Sequence, residues 1–267
     1  MIQDQRKKEL SKFANYIASE FCFQNTTQLE EIAHSEGLQV YEDHYENSFD
    51  GMLVCDEENS FHIHINVDRN NSLQSRRGRF TFAHELAHYF IDEHRIPLLI
   101  GEAAPHGSLH DFAHRDAIED EADYFAGCLL MRDSLFRTIP IDRKFSLNTI
   151  LQLASSFNTS ILSTVLRFAE VGTHEICAFI SENGRLKWFT KSEGFPNWAF
   201  RCKVGQAVPP TTVAGEYFTQ PNAKYTGIEN IEPDDWFYSK WLVKSQLHEQ
   251  CYYSDSYGYV ISLIWFD

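Results

Sequence analysis

The chain has 267 residues, enough for one large domain with a smaller companion. Hydrophobic residues make up 43% and aromatic residues 14%, which supports a sizeable core and excludes an intrinsically disordered chain. The formal net charge of -15 argues against a broad nucleic-acid-binding face, because neutralising phosphates requires clustered Lys and Arg.

Membrane, export and disulfide signals do not appear in the sequence pattern. The N-terminal stretch MIQDQRKKELSKFANYI is charged where a secretory signal is apolar, and no window approaches the roughly 18 uninterrupted apolar residues of a spanning helix. The 6 cysteines are scattered singly, so we expect reduced core thiols. These patterns predict a cytoplasmic protein with no membrane partner.

Helix and strand signals alternate in the first part of the chain. A stripe of apolar residues predicts a helix from about Gln3 to Phe23. A shorter helix should follow, capped by Thr26 or Thr27 and ended by Gly37. We then expect three strands, LQVYEDHY, GMLVC and FHIHINV, joined by turns.

The third strand, FHIHINV, alternates strictly between apolar and polar residues. Its apolar positions predict a core face, and His62, His64 and Asn66 are expected on a solvated face. A long helix is predicted next, from Ser72 to about His94, with Pro97 preventing its continuation. After a loop rich in Gly, Pro and His, the run IEDEADYFAGCLLM predicts another helix that begins near 111–116.

The remainder of the chain changes from helices to strands. Two helices are predicted at Leu147–Phe157 and Ser160–Ala169, with the spacing of a helix-turn-helix. Because Arg167 is the only basic residue in this span, packing is favoured over DNA reading. From about residue 171 strands dominate, beginning with a hairpin at Asn183-Gly184.

The motif His84-Glu85-Leu86-Ala87-His88 lies within the predicted long helix. Histidines at i and i+4 project from one helical face, so both imidazoles can reach a single metal ion. Glu85 lies beside that face, where its carboxylate can take a proton from an attacking water without being a ligand.

The next helix supplies a second pair of chemical groups, Glu119 and Asp123, again one turn apart. Glu119 follows His88 by 31 residues (119 minus 88), enough for a loop and a returning helix. We therefore predict Glu119 as the third ligand of a catalytic zinc site, with Asp123 fixing the tautomer of a ligand histidine.

Other histidines and two tyrosines could also contribute to the site, either as a metal ligand or by stabilising the oxyanion. His94 has the spacing of the third metzincin ligand, but Ile91 occupies the position of the helix-breaking glycine. We therefore expect His94 to be an exposed residue near the end of a continuous helix. The other candidates are expected to line or cover the cleft, where one of them could stabilise the developing oxyanion: His106, His110, His114, Tyr89 and Tyr124.

The stretches RFTFAHELAHYFIDEH and EDEADYFAGCLLM together resemble the ImmA/IrrE metallopeptidases. The resemblance extends weakly through GRLKWFTKSEGFPNW, VPPTTVAGEYF and YGYVISLIWF. Asp123 stands where the family commonly has Asn, and Arg132 stands where Pro often follows Leu-Leu-Met. Neither departure removes a ligand.

The resemblance implies an α+β protein of two domains. Residues 1–170 would form a zincin-like metallopeptidase domain with a helical C-terminal extension, built from helices and a small antiparallel-rich sheet. Residues 171–267 would form a smaller α/β sensor or regulatory domain, with a GAF-like fold as the working hypothesis. Its aromatic residues could bind a small-molecule or single-stranded nucleic-acid activator, or simply fill a core: Trp188, Phe189, Phe195, Trp198, Trp236 and Trp241.

The implied function is a zinc endopeptidase that cleaves a separate helix-turn-helix repressor and so derepresses stress, mobile-element or phage-defence genes. An edge strand near the active-site helix would hold the substrate extended, and FHIHINV is the candidate. The alternative is a non-proteolytic antirepressor with a structural or vestigial metal site. Glu85 discriminates between them, because a structural site has no use for a carboxylate at that position.

Overall fold

The computed structural model describes residues 2–109, 116–138, 144–220, 224–238 and 246–267, and only the backbone of Arg69. The chain forms two compact units. The first comprises Met1–Thr138 with Ala154–Ser163, and the second comprises Ile139–Leu153 with Thr164–Asp267. By this division, residues 164–170 belong to the second unit. The domain boundary after residue 170, drawn from the sequence, stays a prediction.

The first unit combines helices with short strands, as predicted. In chain order its elements are α1 (Asp4–Glu20), β1 (Cys22–Phe23), β2 (Thr26–Thr27), α2 (Leu29–Ser35), β3 (Gln39–Asp43), β4 (Gly51–Cys55), β5 (Phe61–Asn66), a 3-10 helix (Val67–Arg69), α3 (Arg76–Phe90), α4 (Asp92–Leu99), α5 (Ala117–Leu130) and α6 (Asp133–Phe136). The predicted threonine cap of α2 is wrong, because Thr26 and Thr27 pair with β1 and Gln28 occupies the N-cap.

A small sheet lies beside the helices of this unit, and among the described residues its strand order is β3-β5-β4. Strand β5 is parallel to β3 and antiparallel to β4, so the sheet is mixed rather than antiparallel-rich. Ile63 and Ile65 are buried, as the alternation predicts. The expected solvated position of Asn66 is wrong, since its buried amide donates to the carbonyls of Glu46 and Phe49 at 2.7 and 2.8 Å.

The predicted continuous helix to His94 is interrupted at Ile91. This residue is extended (φ -81, ψ 108), so α3 ends at Phe90 and α4 begins at Asp92, with Pro97 inside it. The Ile91 side chain is buried, and acidic residues occupy the first turn of α4, where they favour a new helix start. A glycine is therefore not required for the break.

Helices α1, α3 and α5 pack through three aromatic rings, which fix the orientation of α3 relative to α5. The ring of Phe13 lies 6.0 Å from that of Phe90 and 5.8 Å from that of Phe125. Phe90 and Phe125 stack at 6.3 Å. Such contacts add to the free energy of burial and determine which faces of the helices meet.

The second unit is built on an antiparallel sheet. Its named elements after residue 171 are β6 (Ile176–Glu182), β7 (Arg185–Lys191), β8 (Ala199–Phe200), α9 (Val213–Thr219), β9 (Glu229–Ile231), α10 (Pro233–Trp236), β10 (Phe237–Tyr238), β11 (Leu247–Ser254) and β12 (Tyr259–Phe266). The larger sheet has the described order β7-β6-β12-β11-β9. Asn183 and Gly184 have positive φ values of 51 and 71, as the predicted hairpin turn requires.

The predicted helix pair before this sheet is confirmed as α7 (Leu147–Phe157) and α8 (Ile161–Val171). Both helices have residues in each compact unit. No helix among the described residues is both long and apolar enough to cross a membrane.

Trp236 occupies the centre of the second unit. It is fully buried and stacks on Phe179 at 4.2 Å, with Phe195 in the same core. Its indole N–H donates to the buried carboxylate of Glu249 at 2.9 Å. This packing supports the core interpretation for Trp236 and Phe195, while Trp241 lies outside the described residues.

We predict that Trp236→Phe lowers the free energy of unfolding of the second unit by about 2 kcal/mol, because Glu249 would lose its indole donor in the interior. The matched control is Trp198→Phe, a partly buried residue packed against the same core. Urea unfolding followed by circular dichroism measures both variants. Equal destabilisation by the two changes would contradict a special contribution from the indole hydrogen bond.

Candidate metal centre

Helix α3 carries the HExxH motif into the interior of the first unit. The helix is capped by Ser75, whose hydroxyl accepts from the Gly78 N–H at 2.9 Å. His84, Glu85 and His88 are all buried, with exposed fractions of 1%, 1% and 3%. Burial of three ionisable residues is costly unless they are paired or hold an ion, so this part of α3 calls for a chemical explanation.

The two histidines converge with Glu119 of α5. Nε2 of His84 lies 3.0 Å from Nε2 of His88 and 3.1 Å from Oε2 of Glu119. Nε2 of His88 lies 3.4 Å from Oε1 of Glu119. The three ligand atoms all lie within 4.8 Å of one another, so one cation could contact them together. Two imidazoles and one carboxylate are the donor set of a catalytic zinc site.

Helix α5 presents its two acids to the same histidine. Asp116 caps the helix by accepting from the Glu119 N–H at 2.9 Å, which sets the first turn. One turn later, Asp123 lies with Oδ1 3.0 Å from Nδ1 of His84. A carboxylate on the outer nitrogen directs the unprotonated Nε2 of His84 towards the centre.

The electrostatics of the centre favour a positive charge. Burial opposes protonation of His84, but hydrogen bonds to Asp123 and Glu119 outweigh it and raise the pKa to about 10. Burial lowers the pKa of His88 to about 4. Burial would raise the pKa of Glu119, yet hydrogen bonds from His106, His84 and His88 hold it well below its usual range. A divalent cation would replace the proton on His84 and meet an ionised Glu119.

Glu85 lies beside the ligand group but is not part of it. Burial raises the pKa of its carboxyl to about 7, near the value that suits proton transfer at neutral pH. Its Oε1 atom is buried and has no hydrogen-bond partner among the described residues. The carboxylate is thus desolvated beside the ligand group.

Two residues around Glu85 were not singled out from the sequence as site residues. A Cβ atom built on Gly51 would lie 2.6 Å from Oε1 of Glu85 and 2.6 Å from Cγ2 of Thr81, so β4 approaches α3 at a glycine. Ser108 pairs antiparallel with Gly51. The sequence marks Gly51 only as the start of the predicted strand GMLVC, and Ser108 carries no local signal, because both contacts join distant parts of the chain.

His94 is not the exposed residue that the sequence predicted. It is buried on α4, with its ring 5.1 Å from that of His88 and its Nε2 3.6 Å from Oε2 of Glu121. The break at Ile91 turns it towards the centre, although it does not belong to the converging group of ligand atoms. Burial lowers its pKa to about 4.

Among the described candidates for oxyanion stabilisation, His106 approaches the centre. Its Nε2 lies 2.9 Å from Oε1 of Glu119, and its ring lies 5.4 Å from that of His88. The Tyr89 hydroxyl instead donates to Glu36 at 3.3 Å, and the ring of Tyr124 lies beneath Lys7. The other two candidates, His110 and His114, lie outside the described residues.

We predict that Gly51→Ala lowers the free energy of unfolding by about 1–3 kcal/mol, because its new methyl group would displace Glu85 or Thr81. Gly127→Ala in α5 is the control, since its added Cβ meets nothing within 4 Å and alanine favours a helix. Thermal unfolding of both variants checks this. A Gly51→Ala protein as stable as the Gly127→Ala protein would contradict the close approach.

The match to a family model covers residues 62–168, and the family is a peptidase family described as the IrrE N-terminal-like domain. The five predicted site residues, from His84 to Asp123, fall within this match, which confirms the resemblance drawn from the two motifs. Among solved structures, the chain is similar to a protein titled "Mycobacterium tuberculosis transcriptional regulator", with 14% identity and a TM-score of 0.59. The similarity covers 98% of this chain and 78% of that one, and at this identity it shows the fold alone. No curated protein matches the chain.

Proposed function

We propose, from the IrrE N-terminal-like peptidase domain at residues 62–168, that the chain is a zinc-dependent endopeptidase. The observation that carries the proposal is the convergence of His84, His88 and Glu119 beside a buried carboxylate, Glu85. A purely structural metal site needs the first three residues but not the fourth, and burying Glu85 without a use for it would cost free energy.

His84, His88 and Glu119 would hold the metal, leaving one position open for substrate. Zinc supplies Lewis acidity there, polarising the scissile carbonyl and lowering the pKa of a water towards about 7. Asp123 keeps the proton of His84 on Nδ1. Glu85 takes a proton from the attacking water and returns it to the leaving amine, for which a pKa of about 7 is well suited.

The substrate strand must be reassigned from FHIHINV to β4. Strand β5 is the central strand of the described sheet, so its backbone groups are already paired on both sides. Strand β4 packs against α3 and lies at the edge. An extended peptide could therefore add to β4 by main-chain hydrogen bonds and bring its scissile bond close to Glu85.

We further propose that the substrate is a helix-turn-helix repressor whose cleavage derepresses stress, mobile-element or phage-defence genes in the cytoplasm. The net charge of -15 supports a basic partner, because a DNA-binding repressor carries the positive surface that phosphates require. Main-chain pairing with β4 selects little for sequence, so docking of that partner would provide the specificity.

The second unit is proposed as a regulatory domain with a GAF-like fold. The antiparallel sheet supports this, with central strands β6 and β12 buried along almost their whole length. The small-molecule or single-stranded nucleic-acid activator stays a prediction, because Trp236 and Phe195 serve the core.

We predict that Glu119→Ala abolishes stoichiometric zinc binding, because it removes one of the three converging ligand groups. His94→Ala is the matched control, since it removes a buried side chain next to His88 without removing a ligand. Zinc content after gel filtration and isothermal titration measure both. Retention of zinc by Glu119→Ala together with its loss in His94→Ala would reverse the assignment of the third ligand.

We predict that Glu85→Gln retains one equivalent of zinc but cleaves at least 10²-fold more slowly, because the proton acceptor is removed without a change of shape. Incubation of the zinc-loaded chain with a proteome-derived peptide library, followed by mass spectrometry of new N-termini, measures cleavage without knowledge of the substrate. Cleavage by Glu85→Gln at the wild-type rate would rule out this residue as the base. Zinc binding without cleavage by the wild type would favour the antirepressor.

A further inference from the structure

Ser108 and Glu85 both lie beside the start of β4. Each has one buried polar atom without a hydrogen-bond partner among the described residues. The Oγ atom of Ser108 and the Oε1 atom of Glu85 both lack partners among the described residues, and each side chain is about 1% exposed. Native proteins seldom leave such atoms unpaired in the interior, because desolvation is then uncompensated. Two unpaired polar atoms beside one glycine indicate that the Ser108 hydroxyl and the Glu85 carboxylate are partners.

Backbone hydrogen bonds fix Ser108 in place beside β4. The Ser108 N–H donates to the Gly51 carbonyl at 2.8 Å, and the Asp50 N–H donates to the Ser108 carbonyl at 2.8 Å. The preceding residue packs against Phe49, because a Cβ on Gly107 would lie 2.5 Å from Cβ of that side chain. The hydroxyl of Ser108 is therefore held by a paired segment.

Gly51 is the spacer that brings the two groups together. Its carbonyl pairs with Ser108, and its missing side chain leaves room for Oε1 of Glu85. Ser108 and Glu85 thus approach the same glycine of β4, one through its backbone pairing and the other through its carboxylate. A hydroxyl donor is the group that an ionised carboxylate in this position needs.

We infer that Ser108 is a positioning residue for Glu85. The buried hydroxyl of Ser108 orients the Glu85 carboxylate for proton transfer. The inference rests on the proposed function, in which Glu85 is the general base. A Ser108 hydroxyl turned towards Oε1 would leave Oε2 to exchange protons with the attacking water and the leaving amine. The paired backbone alone does not need a hydroxyl, because any residue supplies an N–H and a carbonyl.

The test uses acetohydroxamic acid on the full-length chain loaded with Co²⁺, whose visible spectrum reports ligand binding at the metal. A hydroxamate chelates the ion and shares its acidic proton with the neighbouring base, so its affinity depends on the orientation of Glu85. We expect Ser108→Ala to weaken binding about tenfold, the effect of losing one charge-assisted hydrogen bond. Ser108→Thr, which keeps the hydroxyl, should bind within about twofold of wild type.

The matched control is Ser60→Ala, the same chemical change at an exposed turn, which should leave affinity unchanged. Thermal midpoints and metal content identify any variant that has lost its fold or its ion. Binding by Ser108→Ala within about twofold of wild type would overturn the inference, as would equal weakening by Ser60→Ala. Because the assay needs no turnover, loss of affinity in Ser108→Ala would support the positioning role even if the library revealed no cleavage.

Discussion

The side chain of His84 joins the two helices on which the candidate centre depends. Its Nδ1 lies 3.0 Å from Asp123 and its Nε2 lies 3.1 Å from Glu119, so one buried imidazole contacts two acids of α5. Both contacts require that α3 and α5 meet on these faces, which the rings of Phe90 and Phe125 enforce. A rotation of α5 by one residue, about 100°, would carry both acids away from the histidine.

Solvent exposure differs between the two ends of the candidate centre, one end being buried and the other more accessible. His84 and Glu85 are almost fully buried, whereas the side chains of Glu119 and His106 are 20% and 52% exposed. Desolvation at the buried end strengthens electrostatic interactions and raises the pKa of Glu85. At the other end, Glu119 and His106 keep part of their side chains in solvent. Proton transfer by Glu85 would thus take place at the buried end of the centre, while the ligand group stays accessible from the other end.

Helical periodicity explains why much of this arrangement could be predicted from sequence. The spacings of His84 with His88, and of Glu119 with Asp123, fix shared faces through local geometry alone. The break at Ile91 could not be predicted in the same way, because it depends on burial of that side chain. The buried position of His94 depends on this break and was missed with it. Gly51 and Ser108 were missed for a similar reason, since their importance arises from contacts between residues far apart in the chain. The roles of the site residues remain predictions that the geometry supports.

In the proposed mechanism, strand β4 would connect substrate binding to proton transfer. The Gly51 carbonyl points outward to Ser108, and because strand residues alternate, the outward groups of the remaining edge belong to Leu53 and Cys55. Within the described residues nothing pairs with that part of the edge, so a peptide could extend from it. The glycine that ends this edge is also the residue against which Glu85 rests. A shift of β4 that misaligned the peptide would therefore also displace the base, which makes correct substrate pairing and correct proton transfer parts of one structural condition.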